Sequence, residues 1–293
     1  MQNFPAIRYS RLMLLVAVAS TAAMQAAAQG QYTPPPPPPP PSGASQPPPG
    51  PGPGQSMAAQ PLDQLVSRIA LYPDPLLAQV LTASTFYDQI PEAAAWANQH
   101  AGLRGDQLAN AIREDNLQWD PSVIALLPFP SVLNMMAQDA GWTQQLGNAV
   151  LAQRADVMDA VQRMRQRSYQ YGYLRPSPYD NVVNSGGSIE ILPVNPAYIY
   201  VPAYDPFVVY GPPRPGFYVG GAIHFGPAVV IGAAFAPWGW AHPYFDWRVH
   251  GIYFDRTPWM RTWENRGFYR HPYEHGWVHG PGPRIEHHEI RRR

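Results

Sequence analysis

Cysteine and lysine are both absent from this 293-residue chain, and all 20 of its basic residues are arginine. The missing cysteine excludes disulfides, thiolate nucleophiles and thiolate-ligated zinc, and with them acylation as a lipoprotein. Without lysine there is no Schiff-base chemistry and no phosphate-loop lysine. An excess of charge is lacking too, because 20 acidic residues bring the formal net charge to zero. Such a balance is not the footprint of a nucleic-acid binder, and no nucleic-acid partner is expected. G-x-S-x-G, H-E-x-x-H, phosphate-loop and dinucleotide-binding glycine patterns are also missing. Several large enzyme classes are therefore removed before any fold is considered.

What the sequence does have begins with a leader. Arg8 and Arg11 precede the apolar run Leu12 to Ala19, and small residues continue to Ala26-Ala27-Ala28. Residues 1–28 therefore read as a secretory signal with cleavage before Gln29, and the apolar run is shorter than the roughly 20 residues of a spanning helix. Proline then dominates residues 29–60, with eight in succession from Pro34 to Pro41 and a Gly/Pro run over residues 47–54. Such a stretch buries no core; it reads as a disordered linker, stiff in its polyproline II part and looser where glycine enters. The expected location is the periplasm or cell envelope, or outside the cell.

Between residues 61 and 168 apolar residues fall at helical spacing. The pattern S-x-I-A-L-x-P-x-P occurs twice, beginning at Ser67 and at Ser122, and marks an internal duplication. In each copy a helical turn meets a Pro-x-Pro stop whose second proline can open the next helix. The spacing predicts helices near 61–71, 75–85, 91–99, 105–114, 121–127, 130–138 and 142–167, with Asp74 and Asp120 as helix caps. In the last helix Leu146, Val150, Val157, Val161 and Met164 form a core-facing stripe, with Arg154, Arg163, Arg165 and Arg167 mostly off it.

From residue 169 to 211 the period becomes alternating. Asn195-Pro-Ala-Tyr-Ile-Tyr-Val-Pro202 and Asp205-Pro-Phe-Val-Val-Tyr-Gly-Pro212 share one pattern and predict two short strands. Ser188 to Leu192 predicts a third, after a Gly186-Gly187 turn. Tyr198, Tyr200, Tyr204 and Tyr210 are strand residues that could also form an aromatic surface.

These stretches, together with ALYPDPLL (70–77), WDPSVIALL (119–127) and the run from Trp142 to Gln162, resemble the exported bacterial family catalogued as domain of unknown function 3300. The likeness covers about residues 62 to 211. It implies an envelope location and an α-rich domain, and it brings no established activity or catalytic residues. Some relatives look like lipoproteins; this cysteine-free chain departs from them.

Residues 212–293 are rich in glycine, tryptophan, arginine and histidine. The apolar stretch 219–236 carries Gly226-Pro227 at its middle and predicts a hairpin rather than a membrane span. Trp238, Trp240, Trp247, Arg248, Trp259, Arg261 and Trp263 pair aromatic faces with guanidinium groups, a chemistry suited to sugars or polyanions; a weakly ordered adhesive tail is the competing reading. His271, His275 and His279 fall at i, i+4 and i+8, yet Pro272, Gly276 and Gly280 oppose a helix. Weak Zn²⁺, Cu²⁺ or Ni²⁺ binding is the metal alternative to solvated histidines, and no cofactor is otherwise expected.

The sequence thus predicts an α+β chain: a mainly α-helical domain with a duplicated helix-Pro-x-Pro-helix unit, a small β-strand unit, and a Gly/aromatic/His-rich, partly disordered tail. A non-catalytic structural or interaction protein of the envelope, with another envelope protein or a cell-wall polymer as partner, is the leading expectation. A polysaccharide-, peptidoglycan- or polyanion-binding module using the tail is the second. A cell-wall hydrolase using carboxylates such as Asp74, Asp115, Asp120, Asp205 or Glu190 is the third.

Overall fold

Proline and aspartate set where the helices start. In the computed structural model, which describes residues 56–213 and 219–271, the chain forms α1 (Ala59–Val66), turns through residues 67–72, and restarts as α2 (Asp74–Ala83) with Pro75 in its first turn. There follow α3 (Ile90–Gln99), α4 (Gly105–Glu114), α5 (Pro121–Ile124) and α6 (Pro130–Gln138). The long α7 (Ala140–Gln170) closes the helical part. The fold is mixed α and β and mainly helical.

Helix α1 ends earlier than its spacing predicts, because the backbone N–H and the hydroxyl of Ser67 both turn back onto the carbonyl of Gln64. This makes residues 67–72 an exposed-to-buried corner instead of a last helical turn. The second copy behaves alike: the Asp120 carboxylate accepts from Ser122 N–H at 2.9 Å, Pro121 occupies the first turn of α5, and the chain turns again before Pro130. Both corners are apolar and buried, Ile69, Ala70 and Leu71 in one, Ala125, Leu126 and Leu127 in the other.

Helix α7 buries its expected stripe, Leu146, Val150, Val157, Val161 and Met164. It kinks at Gln153 (φ −149°, ψ 52°), whose side-chain amide pairs with both the N–H and the C=O of Met57. Gly147 allows close approach to the turn after α2; a Cβ there would lie 2.0 Å from the Ser84 carbonyl oxygen. No helix among the described residues is long and apolar enough to cross a membrane.

The strands are short. β1 (Asp180–Ser185) and β2 (Ser188–Pro193) form an antiparallel hairpin, with Ser185 opposite Ser188. Its two turn residues, Gly186 (φ 59°) and Gly187 (φ 94°), occupy the left-handed region that such a two-residue turn requires. β1 carried too little alternation to be read from sequence. β3 (Tyr198–Ile199) and β4 (Pro202–Tyr204) follow, but the second half of the Asx-Pro repeat is a helical turn, α8 (Pro206–Val209). The strand expected there is corrected: the Asp205 carboxylate caps Phe207 N–H at 2.9 Å and Pro206 opens the turn, so local capping outweighs β propensity.

The hairpin expected between residues 219 and 235 does not form either. β5 (Ile223–Phe225) pairs with β4, and β6 (Val229–Val230) pairs with β3, so the two arms go to different partners. A meander of β7 (Pro243–Asp246), β8 (Gly251–Phe254) and β9 (Thr257–Pro258) completes the described chain. Residues 219–271 belong to the fold, which corrects the expectation of a weakly ordered segment for them. Phe235, Trp240, Trp247, Ile252, Phe254 and Trp259 join the same apolar core as Leu62 and Val161. Aromatic rings supply much of the buried area of this segment.

Candidate functional site: a buried ion pair and the cleft beside it

Arg165 is the polar centre of the domain. Its position four residues after Val161 puts it on the inner face of α7, and its side chain is wholly buried. The expectation that it lies off the apolar stripe is thereby corrected. Nη1 lies 2.6 Å from Asp74 Oδ1. The guanidinium also donates to the carbonyls of Ala70, Ile189 and Tyr72 at 2.8, 2.8 and 3.0 Å, and stands 5.0 Å over the Trp247 ring.

Asp74 answers with both oxygens. Oδ1 accepts from Ile191 N–H at 3.3 Å and Oδ2 from the Trp247 indole at 3.2 Å. Its carboxylate makes no capping bond to α2, which corrects that sequence assignment. Burial pushes its pKa up, while Arg165 and the two donors pull the other way. One ion pair thus ties the first corner, the β1–β2 hairpin and the carboxy-terminal segment to α7. Gln162 reinforces it by bonding both backbone groups of Ile189.

The strand tyrosines work on the same corner. The Tyr204 and Tyr210 hydroxyls donate to the Ser67 carbonyl at 3.0 and 2.8 Å, and Leu71 N–H donates to Tyr204. Burial raises the pKa of both phenols. Tyr198 is exposed and Tyr200 packs against Tyr179 at 4.4 Å, so the four tyrosines form no common surface. At the second corner Phe129 stands where the first has Asp74; Trp240 stacks on it at 5.3 Å and donates its indole N–H to the Ala125 carbonyl at 2.9 Å.

Most of the aromatic and arginine residues expected to bind ligand are therefore interior. Trp240, Trp247, Trp259 and Arg261 are buried; Arg261 donates to the Thr85 carbonyl and hydroxyl, both at 2.7 Å, and lies over Phe86. Trp238 and Trp263 are half-buried under the protein's own Arg113 and Arg266, and Arg248 is exposed. The seven do not converge on one surface. His271 is fully buried with Nε2 3.2 Å from Asp120 Oδ1, while His275 and His279 lie outside the described residues. Among the described residues no three potential ligands cluster as a metal site.

The cleft that remains chemically open lies next to the ion pair. It has a volume of about 590 Å³ and runs between residues 172–182 and the strands that carry Ile191, Pro202 and Phe225. Asp180 lines it. Ser177 Oγ accepts from Tyr179 and Asp180 N–H at 3.1 and 3.0 Å, a turn that drives the Asp180 side chain inward to 4 % exposure. Its Oδ1 is buried with no hydrogen-bond partner among the described residues. Burial, and secondarily the Asp74 charge, push its pKa up to about 7. Sequence reasoning missed Asp180; the only hint is the Ser-x-x-Asp turn after the long helix, which does not reveal burial. Two further grooves flank the first corner, of about 660 and 930 Å³, sharing Arg68; the second is rimmed by Phe207, 92 % exposed.

Comparison with known proteins bears on this arrangement. A family described as protein of unknown function (DUF3300) matches residues 58–279. The chain belongs to the DUF3300 family. The match reaches well past residue 211, where the resemblance seen in the sequence stopped, and takes in the strands, the meander and the buried tryptophans as one family unit. The uncharacterized protein YacH of Escherichia coli (strain K12) is 35% identical over 182 residues, covering 51% of this chain and 29% of YacH. The chain thus spans less than a third of that relative's length. No solved structure matches.

Proposed function

We propose that this DUF3300 protein is exported to the cell envelope and acts there as a non-catalytic interaction domain. The leader-like residues 1–28 and the proline-rich linker support export, and the absence of cysteine rules out a thioether-linked lipid anchor. The partner in this reading is an envelope protein or a wall polymer, and no resident cofactor or nucleic acid is involved.

The observation that carries the reading is how the candidate carboxylates are used. Asp74 holds Arg165, Asp115 accepts from the Trp96 indole at 2.6 Å, and Asp120 and Asp205 cap helical turns. Each is committed to the fold, whereas the apolar grooves and the exposed Phe207 offer surface for contact. The hydrolase alternative retains one specific observation: Glu190 and Asp246 line a shallow cleft of about 480 Å³ with Tyr244 and Arg248. Among the described residues, the polysaccharide-binding alternative retains Trp238, Arg248 and Trp263 of the seven expected.

Incubating the full chain with purified peptidoglycan, then measuring both pelleting and soluble fragments, tests these readings. Between pH 4 and 8 no fragment release is expected, and pelleting would name the wall as partner. Release that Glu190→Gln or Asp246→Asn abolishes would overturn the non-catalytic reading.

A further inference from the structure

The cleft at Asp180 combines three features. One carboxyl is almost wholly buried, with an oxygen that no described donor reaches. The walls near it are apolar: Leu174, Val182, Ile191, Ile223 and Phe225. At the rim stands one exposed cation, Arg175, anchored through Nε to the Gly172 carbonyl at 2.9 Å. A buried carboxylate without donors is costly, and a ligand that supplies charged N–H donors removes that cost. An anion fits badly, since Asp180 repels it and Asp74 stands behind. A metal ion lacks the further ligands it needs among the described residues. An ammonium group supplies three donors and a matching charge, and a short hydrocarbon stem matches the walls.

We infer that this cleft receives a protonated primary amine on a short apolar stem, with the Asp180 carboxyl as its counter-ion and Arg175 as the partner for a carboxylate on the same ligand. The inference rests on the domain being one that recognises rather than transforms. Two sources share this chemistry, a free α-amino acid and the side-chain amine of a peptide.

The charged groups around Asp180 are Asp74, paired with Arg165 behind the cleft, and Arg175 at the rim. Because burial raises the Asp180 pKa to about 7, docking of a cation draws the carboxyl toward the ionised form. Amine binding near neutral pH is therefore accompanied by proton release.

Calorimetry on the full chain at pH 7, with four probes and two buffers of different ionisation enthalpy, tests this. n-Pentylamine carries only the ammonium, leucine adds the carboxylate, N-acetylleucine lacks the ammonium, and Nα-acetyl-lysine carries the amine on a side chain. Pentylamine and leucine should bind with proton release, and N-acetylleucine at least tenfold more weakly. Binding of Nα-acetyl-lysine as tightly as leucine identifies the side-chain source; weaker binding identifies the free amino acid. Asp180→Asn, nearly isosteric, should weaken pentylamine at least tenfold, and Arg175→Gln should weaken leucine but not pentylamine. The inference is overturned if N-acetylleucine binds as well as leucine, if Asp180→Asn changes nothing, or if no probe binds. Those results leave the wall experiment untouched, so the two readings fail separately.

Discussion

Replacing Arg165 with methionine should be among the most damaging single changes in the domain. Methionine fills much of the volume but removes the donors to Ala70, Tyr72 and Ile189 and the counter-ion of Asp74. Asp74 keeps only Ile191 N–H and the Trp247 indole in an interior where it is 3 % exposed. Removing one member of a buried ion pair costs about 3–5 kcal/mol, and each carbonyl left dry adds to it. For a domain of this size about 2–4 °C is lost per kcal/mol, so Tm should fall by about 6–20 °C. Urea unfolding followed by tryptophan fluorescence measures the free-energy loss, and thermal unfolding followed by far-UV circular dichroism measures the fall in Tm. With Arg165 gone the folded-state pKa of Asp74 rises further above its ordinary 3.8. The penalty then stands in full above that raised value and disappears as pH falls toward 3.8. The deficit of Arg165→Met should accordingly shrink in acid, and adding Asp74→Asn should restore part of the stability at pH 7. A loss below about 1 kcal/mol, or a double variant no better than the single one, would refute the assignment of Arg165 and Asp74 as the domain's polar clamp.

Three further outcomes follow from the packing. Gly147→Ala should destabilise, against the gain of about 1 kcal/mol that helix propensity alone gives, because the new Cβ meets the Ser84 carbonyl; a higher urea midpoint would contradict it. Asp180→Asn should stabilise the unliganded protein by on the order of 1–3 kcal/mol at pH 8 and not at all below pH 4, since the folded carboxyl titrates near 7 and ionising it is what costs energy. Equal effects at both pH values would rule this out. A chain ending at Gly211 should lose cooperative unfolding, because it lacks the Trp247 bond to Asp74, the Trp240 bond to Ala125 and the Arg261 bonds to Thr85; a sharp urea transition from that truncated chain would show that residues 219–271 are dispensable.

Much of the helical part was legible because its signals are local. The apolar spacing of α7, the Asp120-Pro121 cap and the Pro-x-Pro corners need only neighbours a few residues away. Where local signals competed, the outcome was not legible: Asn195-Pro196 leads into a strand and Asp205-Pro206 into a helical turn, although the two segments share one pattern. The candidate site was less legible still. Arg165 sits at stripe spacing from Val161 but was discounted as a charge, and Asp180 looks in sequence like one more turn aspartate.

What the sequence by itself determined is therefore the helices up to residue 170, the duplicated corner, the hairpin turn at Gly186-Gly187, and the chemistry that absent cysteine and lysine forbid. What only tertiary structure decided is where the carboxy-terminal aromatics go and what the charges meet. Trp247 and Asp74 are 173 residues apart and Arg261 and Thr85 are 176 apart, and no periodicity reports on such distances. A guanidinium on an apolar stripe becomes a core residue only when a carboxylate and several backbone carbonyls from remote segments converge on it. That convergence is a property of the packed chain, because the cost of burying each group is met only when all of them are buried together.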